Sequence, residues 1–291
     1  MTDEIWQDYK SVVANSGQRV IRCLMTPDSQ RVSPEADFRL PMGLRAGDAA
    51  RFWSVWDESG RLIAERKRWL AESAELFIGC VPESDAARRE ALAWMQSWAA
   101  ETEPDWVLLS ADAEGEPKVL AGEVVFPSSW SLQEKLGLPI SAVHAPVPAL
   151  KTEIGAAIET FLSRIECGAA WERENWGLSA DEELNHHPSR SLPGLTADAR
   201  LETTWIRLER QFLTRLPQTR CLLFGIRVSH HRLDEVAALP GMGERIARAL
   251  QTMPEDMARY KGLSLARAAL VTALRQTSLP GNKDETRQLW Q

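Results

Sequence analysis

His144 is the residue whose type and surroundings point most directly to chemistry. It follows residues 140–143, which we predict to be extended, and Pro146 and Pro148 exclude a helix after it. An imidazole on stiff backbone, beside apolar residues and Trp130, has the fixed orientation and dry surroundings that a haem-iron ligand needs. The alternative is a buried histidine that hydrogen-bonds a backbone carbonyl. The residues alone leave both interpretations open.

Arg227 is a candidate for binding a carboxylate. It lies on a predicted strand over residues 221–228, and alternation places it on the same face as Leu223 and Gly225. A small residue beside a cation suits a flat ligand that carries a carboxylate, because a guanidinium grips that group with two hydrogen bonds. An edge-strand arginine that reaches solvent explains the pattern equally well.

The remaining histidines have weaker surroundings for a ligand. His186 and His187 fall in a polar loop over residues 179–199, and His230 and His231 begin the predicted turn after the last strand. Side chains in such places are usually solvated, so we expect all four imidazole rings to be exposed to solvent and without a fixed orientation.

The cysteines favour no metal cluster. Cys23, Cys80, Cys167 and Cys221 are far apart, without a CxxC motif and without a histidine at metal-ligand spacing. This argues against a zinc ribbon or an iron–sulfur site. With no signal peptide in the sequence, we expect reduced thiols and a cytoplasmic location.

The composition is that of a globular protein, with 44% hydrophobic and 26% charged residues. The net charge of −7 argues against a nucleic acid or an anionic membrane as partner. No apolar run approaches the roughly 20 residues needed to span a bilayer. The twelve tryptophans could wall a flat aromatic cofactor, although Trp-rich cores without a ligand also exist.

Hydrophobic periodicity predicts the elements that must position these residues. Strands are predicted over residues 106–110, 118–126, 170–178 and 221–228, the first two as a hairpin. Helices are predicted over residues 60–72, 84–98, 132–136, 150–165, 201–216, 244–251 and 263–276. Antiparallel strands interleaved with amphipathic helices make the predicted fold α+β. We expect a domain over residues 38–276, between an N-terminal extension (1–37) and a C-terminal tail (277–291).

The chain resembles the haem-dependent oxidative N-demethylase family, specifically its haem-bearing subunit. The resemblance rests on motifs that occur in the family's order between about residues 38 and 263. They are Met42-Gly-Leu-Arg45, Phe126-Pro-Ser-Ser-Trp-Ser-Leu-Gln-Glu-Lys-Leu-Gly137, Val143-His-Ala-Pro-Val-Pro148, Arg173-Glu-Asn-Trp176, Leu208-Glu-Arg-Gln-Phe-Leu-Thr-Arg-Leu-Pro217, Leu223-Phe-Gly-Ile-Arg227 and Tyr260-Lys-Gly-Leu263.

The resemblance implies a PAS-like antiparallel sheet with helical elaborations that holds haem b, with His144 as the matching iron ligand. Arg210 and Arg227 are then candidates for the haem propionates, although a helix-surface ion pair explains Arg210 as well. Trp130 and Trp176 could form an aromatic wall for a small ammonium group, and Glu209 could supply a negative charge, or be a helix-surface residue. Asn175 is a further candidate catalytic residue.

The implied function is a monooxygenase that uses O₂ to remove an N-methyl group from a small amine as formaldehyde. The sequence has no Gly-x-Gly-x-x-Gly motif and no cysteine cluster, so electrons would come from a separate NAD(P)H-dependent flavin/iron–sulfur reductase. A folate-binding partner could receive the formaldehyde. The alternatives are a haem-binding PAS-type sensor or carrier without turnover, and a haem-free interaction subunit of the same fold.

The sequence departs from the family pattern at two places. Val228-Ser-His-His231 stands where Thr-Tyr and a later Pro are expected, and Glu101-Thr-Glu-Pro104 replaces an acidic Gln-Glu-Asp segment. If these positions touch the distal pocket, the substrate would differ or activity would be lost.

Overall fold

A seven-stranded antiparallel sheet forms the centre of the protein. The computed structural model describes residues 37–40, 42–111 and 115–277. The strands in this part of the chain are β1 (Arg45–Ala46), β2 (Ile78–Cys80), β3 (Asp105–Leu109), β4 (Val119–Glu123), β5 (Trp171–Ser179), β6 (Trp205–Arg215) and β7 (Leu222–Arg232). Their order across the sheet is β1-β5-β6-β7-β3-β4-β2. Strands and helices interleave, which confirms the predicted α+β class.

Nine α-helices flank this sheet in the described ranges. They are α1 (Ala49–Trp53), α2 (Arg61–Phe77), α3 (Asp85–Gln96), α4 (Ile140–His144), α5 (Ala156–Arg164), α6 (Leu233–Ala237), α7 (Met242–Thr252), α8 (Glu255–Tyr260) and α9 (Arg267–Thr277). A π-helical turn, Lys151–Gly155, leads into α5. The predicted hairpin of β3 and β4 is confirmed, as are the helices near residues 60–72, 84–98, 150–165, 244–251 and 263–276.

Strand register defines two faces of the sheet. Arg173 lies opposite Gln211, and Asn175 lies opposite Glu209, so these four side chains share one face, which we call the His144 face. Arg210 lies between Glu209 and Gln211 in the sequence, so its side chain points to the other face of the sheet. Arg227 lies opposite Arg210 and points the same way, and we call this face the Arg227 face.

The two faces are covered by different helices. On the Arg227 face, α1 and α3 pack against β3, β6 and β7 through Phe52, Trp53 and Met95. Helices α6 to α9 cover the far end of the same face, around Ile206 and Leu208. On the His144 face, α4 and α5 bury Ile140, Ile158 and Leu162 against β3, β6 and β7. Each cluster removes large apolar side chains from water, the main stabilising term in folding.

The middle of β5 and β6 on the His144 face stays partly open. Arg173, Asn175, Glu209 and Gln211 are all half-buried. A Cβ placed on Gly177, which lies opposite Arg207 on this face, would meet no atom within 4 Å. This part of the sheet is therefore polar and partly open, and we call it the groove.

The predicted helix over residues 201–216 is wrong, because this segment forms β6 after a short 3₁₀ turn. The spacing of Leu201, Trp205, Leu208, Phe212 and Leu216 imitates a helical stripe. Residues 205–211 also alternate, with Ile206 and Leu208 on one side and Arg207 and Glu209 on the other. β6 gains a neighbouring strand on both edges, β5 and β7, and that pairing overrides the helical pattern.

Two predictions around His144 are also wrong. Residues 140–144 form the helix α4 and are not extended, and Pro146 lies beyond its end. Residues 132–136 form a single hydrogen-bonded turn instead of a helix, in which the Leu132 carbonyl accepts from Lys135 N at 2.9 Å. The turn ends at Gly137 with φ of +76°, a left-handed conformation that glycine adopts without strain.

The predicted limits of the domain stay a prediction, and the proposed extension before residue 37 and most of the tail lie outside the described residues. Within the described ranges, every helix is too short or too polar to cross a lipid bilayer.

Candidate functional site

The helix α4 carries His144 to the edge of the groove. The Glu116 carboxylate holds the start of α4, because it accepts hydrogen bonds from the Ser141 backbone N–H and, at 2.8 Å, from the Ser141 hydroxyl. Ile140 and Val143 pack into the core of the His144 face. These contacts fix the helix on the sheet and leave His144, its last residue, half-buried.

The His144 imidazole is neutral at neutral pH and has no hydrogen-bond partner among the described residues. Burial lowers its pKa from 6.5, the positive charge of Arg173 lowers it further, and Glu116 acts in the opposite direction. A half-buried neutral imidazole with an unused nitrogen lone pair can bind a metal ion.

Arg173 brings a cation to the same face. Its Nε is buried without a hydrogen-bond partner, and burial lowers the pKa of the guanidinium while the charge of Glu209 raises it. A buried donor without a partner is unfavourable in free energy. Arg173 Nε could therefore donate a hydrogen bond to the carboxylate of a bound ligand.

Glu209 supplies the negative charge of the groove. The Ser128 hydroxyl donates to its Oε1, and the Gln211 side chain donates to its Oε2 at 2.9 Å. Asn175 lies directly opposite on β5, with its side chain on the same face. The structure thus brings His144, Asn175 and Glu209 to one side of the sheet, as the sequence-based site requires.

Apolar side chains flank this polar floor. Trp130, Val143 and Phe224 are half-buried and pack against the core of the His144 face. Phe224 lies near Arg173 along this face, because their partners on β6 are two residues apart. These side chains can contact a flat apolar molecule with a carboxylate near Arg173.

Lys261 is a further charge beside the groove that the residue-by-residue reasoning missed. Its Nζ donates to the Trp176 carbonyl at 2.8 Å. Burial lowers the pKa of Lys261. The negative charge of Glu209 raises this pKa, and the positive charge of Arg173 lowers it. The motif Tyr260-Lys-Gly-Leu263 contained the signal, but nothing in the sequence connects that segment to β5.

Arg227 requires a correction. Its guanidinium forms an ion pair with Glu103 and donates from Nε to the Phe52 carbonyl at 2.6 Å and from Nη2 to the Ser54 carbonyl. It also stacks over Trp56 at 4.2 Å. All of this occurs on the Arg227 face, so Arg227 cannot hold a propionate of a haem ligated by His144.

The space beside Gly225 is also filled by protein. A Cβ on Gly225 would lie 2.6 Å from the Phe52 ring and 2.9 Å from the Trp53 ring. The glycine therefore admits two aromatic rings of α1, and not the flat ligand that the strand pattern suggested.

Arg210 needs the same correction. It lies on a strand instead of a helix, and its Nη2 donates to Glu174 at 3.1 Å on the Arg227 face. Its guanidinium also stacks 5.1 Å from the Trp56 ring. The ion pair anticipated as the alternative is present, and the prediction that Arg210 binds a propionate beside His144 does not fit this placement.

Trp176 alternates with Asn175 and lies on the Arg227 face, where it packs against the cluster that contains Leu208. Trp130 packs on the His144 face. The two tryptophans pack against different clusters, and the single aromatic wall expected from the sequence stays a prediction.

The other histidines are more ordered than expected. His230 lies on β7, where its Nε2 accepts from Arg207 at 2.9 Å and its Nδ1 donates to the Glu182 carbonyl at 2.8 Å. His186 contacts Asp181 at 3.0 Å, and the His187 ring is buried against Phe77. The expectation that these rings are exposed to solvent is wrong, since the strand and the packed loop hold each ring in a fixed orientation.

His231 is the other histidine whose ring makes no hydrogen bond among the described residues, but it lies on the Arg227 face. Burial lowers its pKa to about 4. It is therefore the natural control for His144.

The departures from the family pattern have clear positions. Glu103 is buried, ion-pairs with Arg227 and accepts from the Trp56 and Asp57 backbone N–H groups, so it is structural. His230 lies on the His144 face but is saturated by Arg207 and Glu182. Neither residue contacts His144 through a hydrogen bond or ion pair.

Comparison with known families identifies the chain. The model of a family described as haem-dependent oxidative N-demethylase, alpha subunit-like, matches residues 92–271. The match spans more than half of the 291 residues and includes His144, Arg173, Asn175 and Glu209. The chain therefore belongs to the haem-dependent oxidative N-demethylase, alpha subunit-like family.

Proposed function

We propose that this protein is a haem-dependent monooxygenase subunit that removes a methyl group from a small methylated amine as formaldehyde. The observation that carries the proposal is the shared placement of an unbonded imidazole, His144, and an unpaired buried guanidinium nitrogen, on Arg173, beside an open groove. Membership of the family gives the groove its expected cofactor.

The residues of the groove fit haem b. His144 would be the iron ligand, because its pKa is lowered and the neutral imidazole is the form that binds iron. Arg173 would hold a propionate, which gives its orphaned Nε an acceptor. Trp130, Val143 and Phe224 would cover part of the porphyrin and keep water away.

Bound haem, once reduced, would supply the oxidation of an N-methyl group by O₂, with one oxygen atom leaving as formaldehyde and the other as water. The chain itself would orient the amine. Glu209 is an anion at the floor of the groove and would bind the ammonium group, while the Asn175 amide on the opposite strand can accept or donate a hydrogen bond beside it. Trp130 would offer an aromatic face to the methyl groups.

Electrons would come from a separate NAD(P)H-dependent flavin/iron–sulfur reductase, since the sequence has no dinucleotide-binding Gly-x-Gly-x-x-Gly motif. A folate-binding partner could accept the formaldehyde. The PAS-like character of the sheet and a cytoplasmic location belong to the same proposal.

The experiment is a formaldehyde assay on the purified full chain loaded with haem. We expect formaldehyde in proportion to dimethylamine or another methylated amine when a chemical reductant and O₂ are present, and none with NADPH alone. Glu209→Gln should raise KM for the amine without loss of the Soret band, because the charge is lost and the haem contacts remain.

Two results would contradict the proposal. A protein that binds reducible haem and O₂ but converts no methylated amine would be a sensor or carrier. A protein that retains no haem after reconstitution would be a haem-free interaction subunit.

A further inference from the structure

The segment of residues 125–128 is fixed from two sides. The buried Asp105 carboxylate accepts from Val125 N at 2.8 Å and from Phe126 N at 2.9 Å. On the other side, Arg207 Nη2 donates to the Phe126 carbonyl at 2.8 Å and to the Pro127 carbonyl at 3.1 Å. Ser128 therefore has a defined position over β6.

Arg207 also determines the direction of the Ser128 hydroxyl proton. Its Nε donates to Ser128 Oγ at 2.7 Å, so this oxygen acts as an acceptor toward Arg207. The hydroxyl hydrogen is left for the second neighbour, the Glu209 carboxylate, which has only acceptor atoms when ionised. Arg207 is almost wholly buried and remains a cation, with a pKa lowered by burial to about 10. The donor direction is thus permanent at neutral pH.

Glu209 has an oppositely charged neighbour that it does not bind. Arg173 lies on the same face, diagonally across β5 and β6, and the two charges influence each other. Within the described residues no ion pair joins them, since the Glu209 oxygens are engaged by Ser128 and Gln211. A collapsed Arg173–Glu209 pair would neutralise both charges of the groove.

We propose that Ser128, oriented by Arg207, is a positioning residue that holds the Glu209 carboxylate apart from Arg173 and so keeps it available for a cationic ammonium ligand. The inference deepens the proposed function and rests on it for the identity of the ligand. Without the Ser128 hydroxyl, Glu209 would turn toward Arg173. The groove would then lose its attraction for a cation but keep its shape.

The test measures binding of tetramethylammonium, a permanent cation, to the haem-loaded and haem-free full chain by calorimetry. Ser128→Ala should weaken binding about tenfold, in the range expected for loss of a hydrogen bond to a charged group. Ser128→Thr, which keeps the hydroxyl, should restore most of it. Ser163→Ala, which removes an exposed serine hydroxyl of α5, is the matched control and should bind as the unaltered chain does.

A neutral probe of similar size separates positioning from a general structural role. Binding of tert-butanol should be the same in Ser128→Ala and in the unaltered chain, and the Soret band should not move. Equal losses for both probes, equal losses in the Ala and Thr variants, or unchanged tetramethylammonium binding in Ser128→Ala would overturn the inference.

The formaldehyde assay distinguishes the two proposals. Turnover of an amine by the unaltered chain together with no effect of Ser128→Ala contradicts only the positioning role. A Ser128-dependent affinity for tetramethylammonium without any formaldehyde contradicts only the demethylase function. Absence of both binding and turnover overturns both.

Discussion

Arg227 and Glu103 form an ion pair inside the protein, with only 7% of the arginine side chain and none of the glutamate side chain exposed. The pair joins β7 to the segment before β3, and Arg227 also holds the end of α1 through two carbonyls. A buried charge without its partner is costly, so removing one partner of this pair should destabilise the fold.

We therefore expect Arg227→Leu to destabilise the protein by about 3–5 kcal/mol, because Glu103 would be left buried and uncompensated. Urea unfolding of the haem-free chain measures this directly. The double variant Arg227→Leu/Glu103→Leu should recover part of the loss. A stable single variant with weakened haem binding would restore Arg227 as a propionate ligand.

Two glycines on opposite faces should respond differently to the same change. Gly177→Val adds a side chain in open space over the groove, so we expect unchanged or higher stability and weaker haem binding. Gly225→Val would clash with Phe52 and Trp53 and should destabilise the protein by about 1–3 kcal/mol. Unfolding curves and haem titrations of the two variants check both statements. Intact haem binding in Gly177→Val would place the haem elsewhere.

Arg173 should contribute to haem retention. Replacing it with Leu removes a charge-assisted pair with a carboxylate, and we expect a loss of about 1.5–3 kcal/mol in haem affinity. Competition for haem with apomyoglobin measures this. Arg89→Leu, which alters an exposed arginine of α3, is the control. Equal affinities for the Arg173 variant and the control would exclude the propionate role.

Acid should destabilise the protein through His230. Burial, followed by the charge of Arg207, lowers its pKa to about 3 in the folded protein, from about 6.5 when unfolded. The unfolded chain then binds the proton more readily. The stability contributed by neutral His230 is therefore present above pH 6.5 and declines as the pH falls toward 3.

His230→Asn should consequently show a smaller loss of unfolding free energy between pH 7 and pH 5, by at most about 1.4 kcal/mol per pH unit. Chemical denaturation at several pH values, compared with the unaltered chain, isolates this difference from the carboxylates. Parallel curves for the two proteins would show that His230 does not titrate in this way.

The sequence predicted much of the fold where one period dominated. Strands β3 and β4 are short apolar runs separated by a turn, residues 222–228 of β7 alternate, and the helices near residues 150–165 and 263–276 have a continuous apolar stripe. The helix prediction over residues 201–216 was wrong because the apolar residues fit both the helical and the strand period. Only pairing with β5 and β7 selects the strand.

The sequence predicted which kinds of residue form the site, but not which face of the sheet each of them occupies. Alternation along β5 correctly separated Arg173 and Asn175 from Trp176. It could not show that Arg227 shares its face with Arg210 and Glu103, because that depends on register between strands distant in sequence. The sequence does not single out Arg173 as a binding residue, since its unpaired Nε is visible only in three dimensions.

The absorption spectrum of the haem-loaded protein tests the central claim, that His144 ligates the iron. His144→Gly should lose the Soret band of the unaltered protein and regain it when imidazole is added, because the free ring can occupy the same place. His231→Gly, which alters the other unbonded histidine on the opposite face, should keep the original spectrum. An unchanged spectrum in His144→Gly together with a bleached His231→Gly would contradict the account.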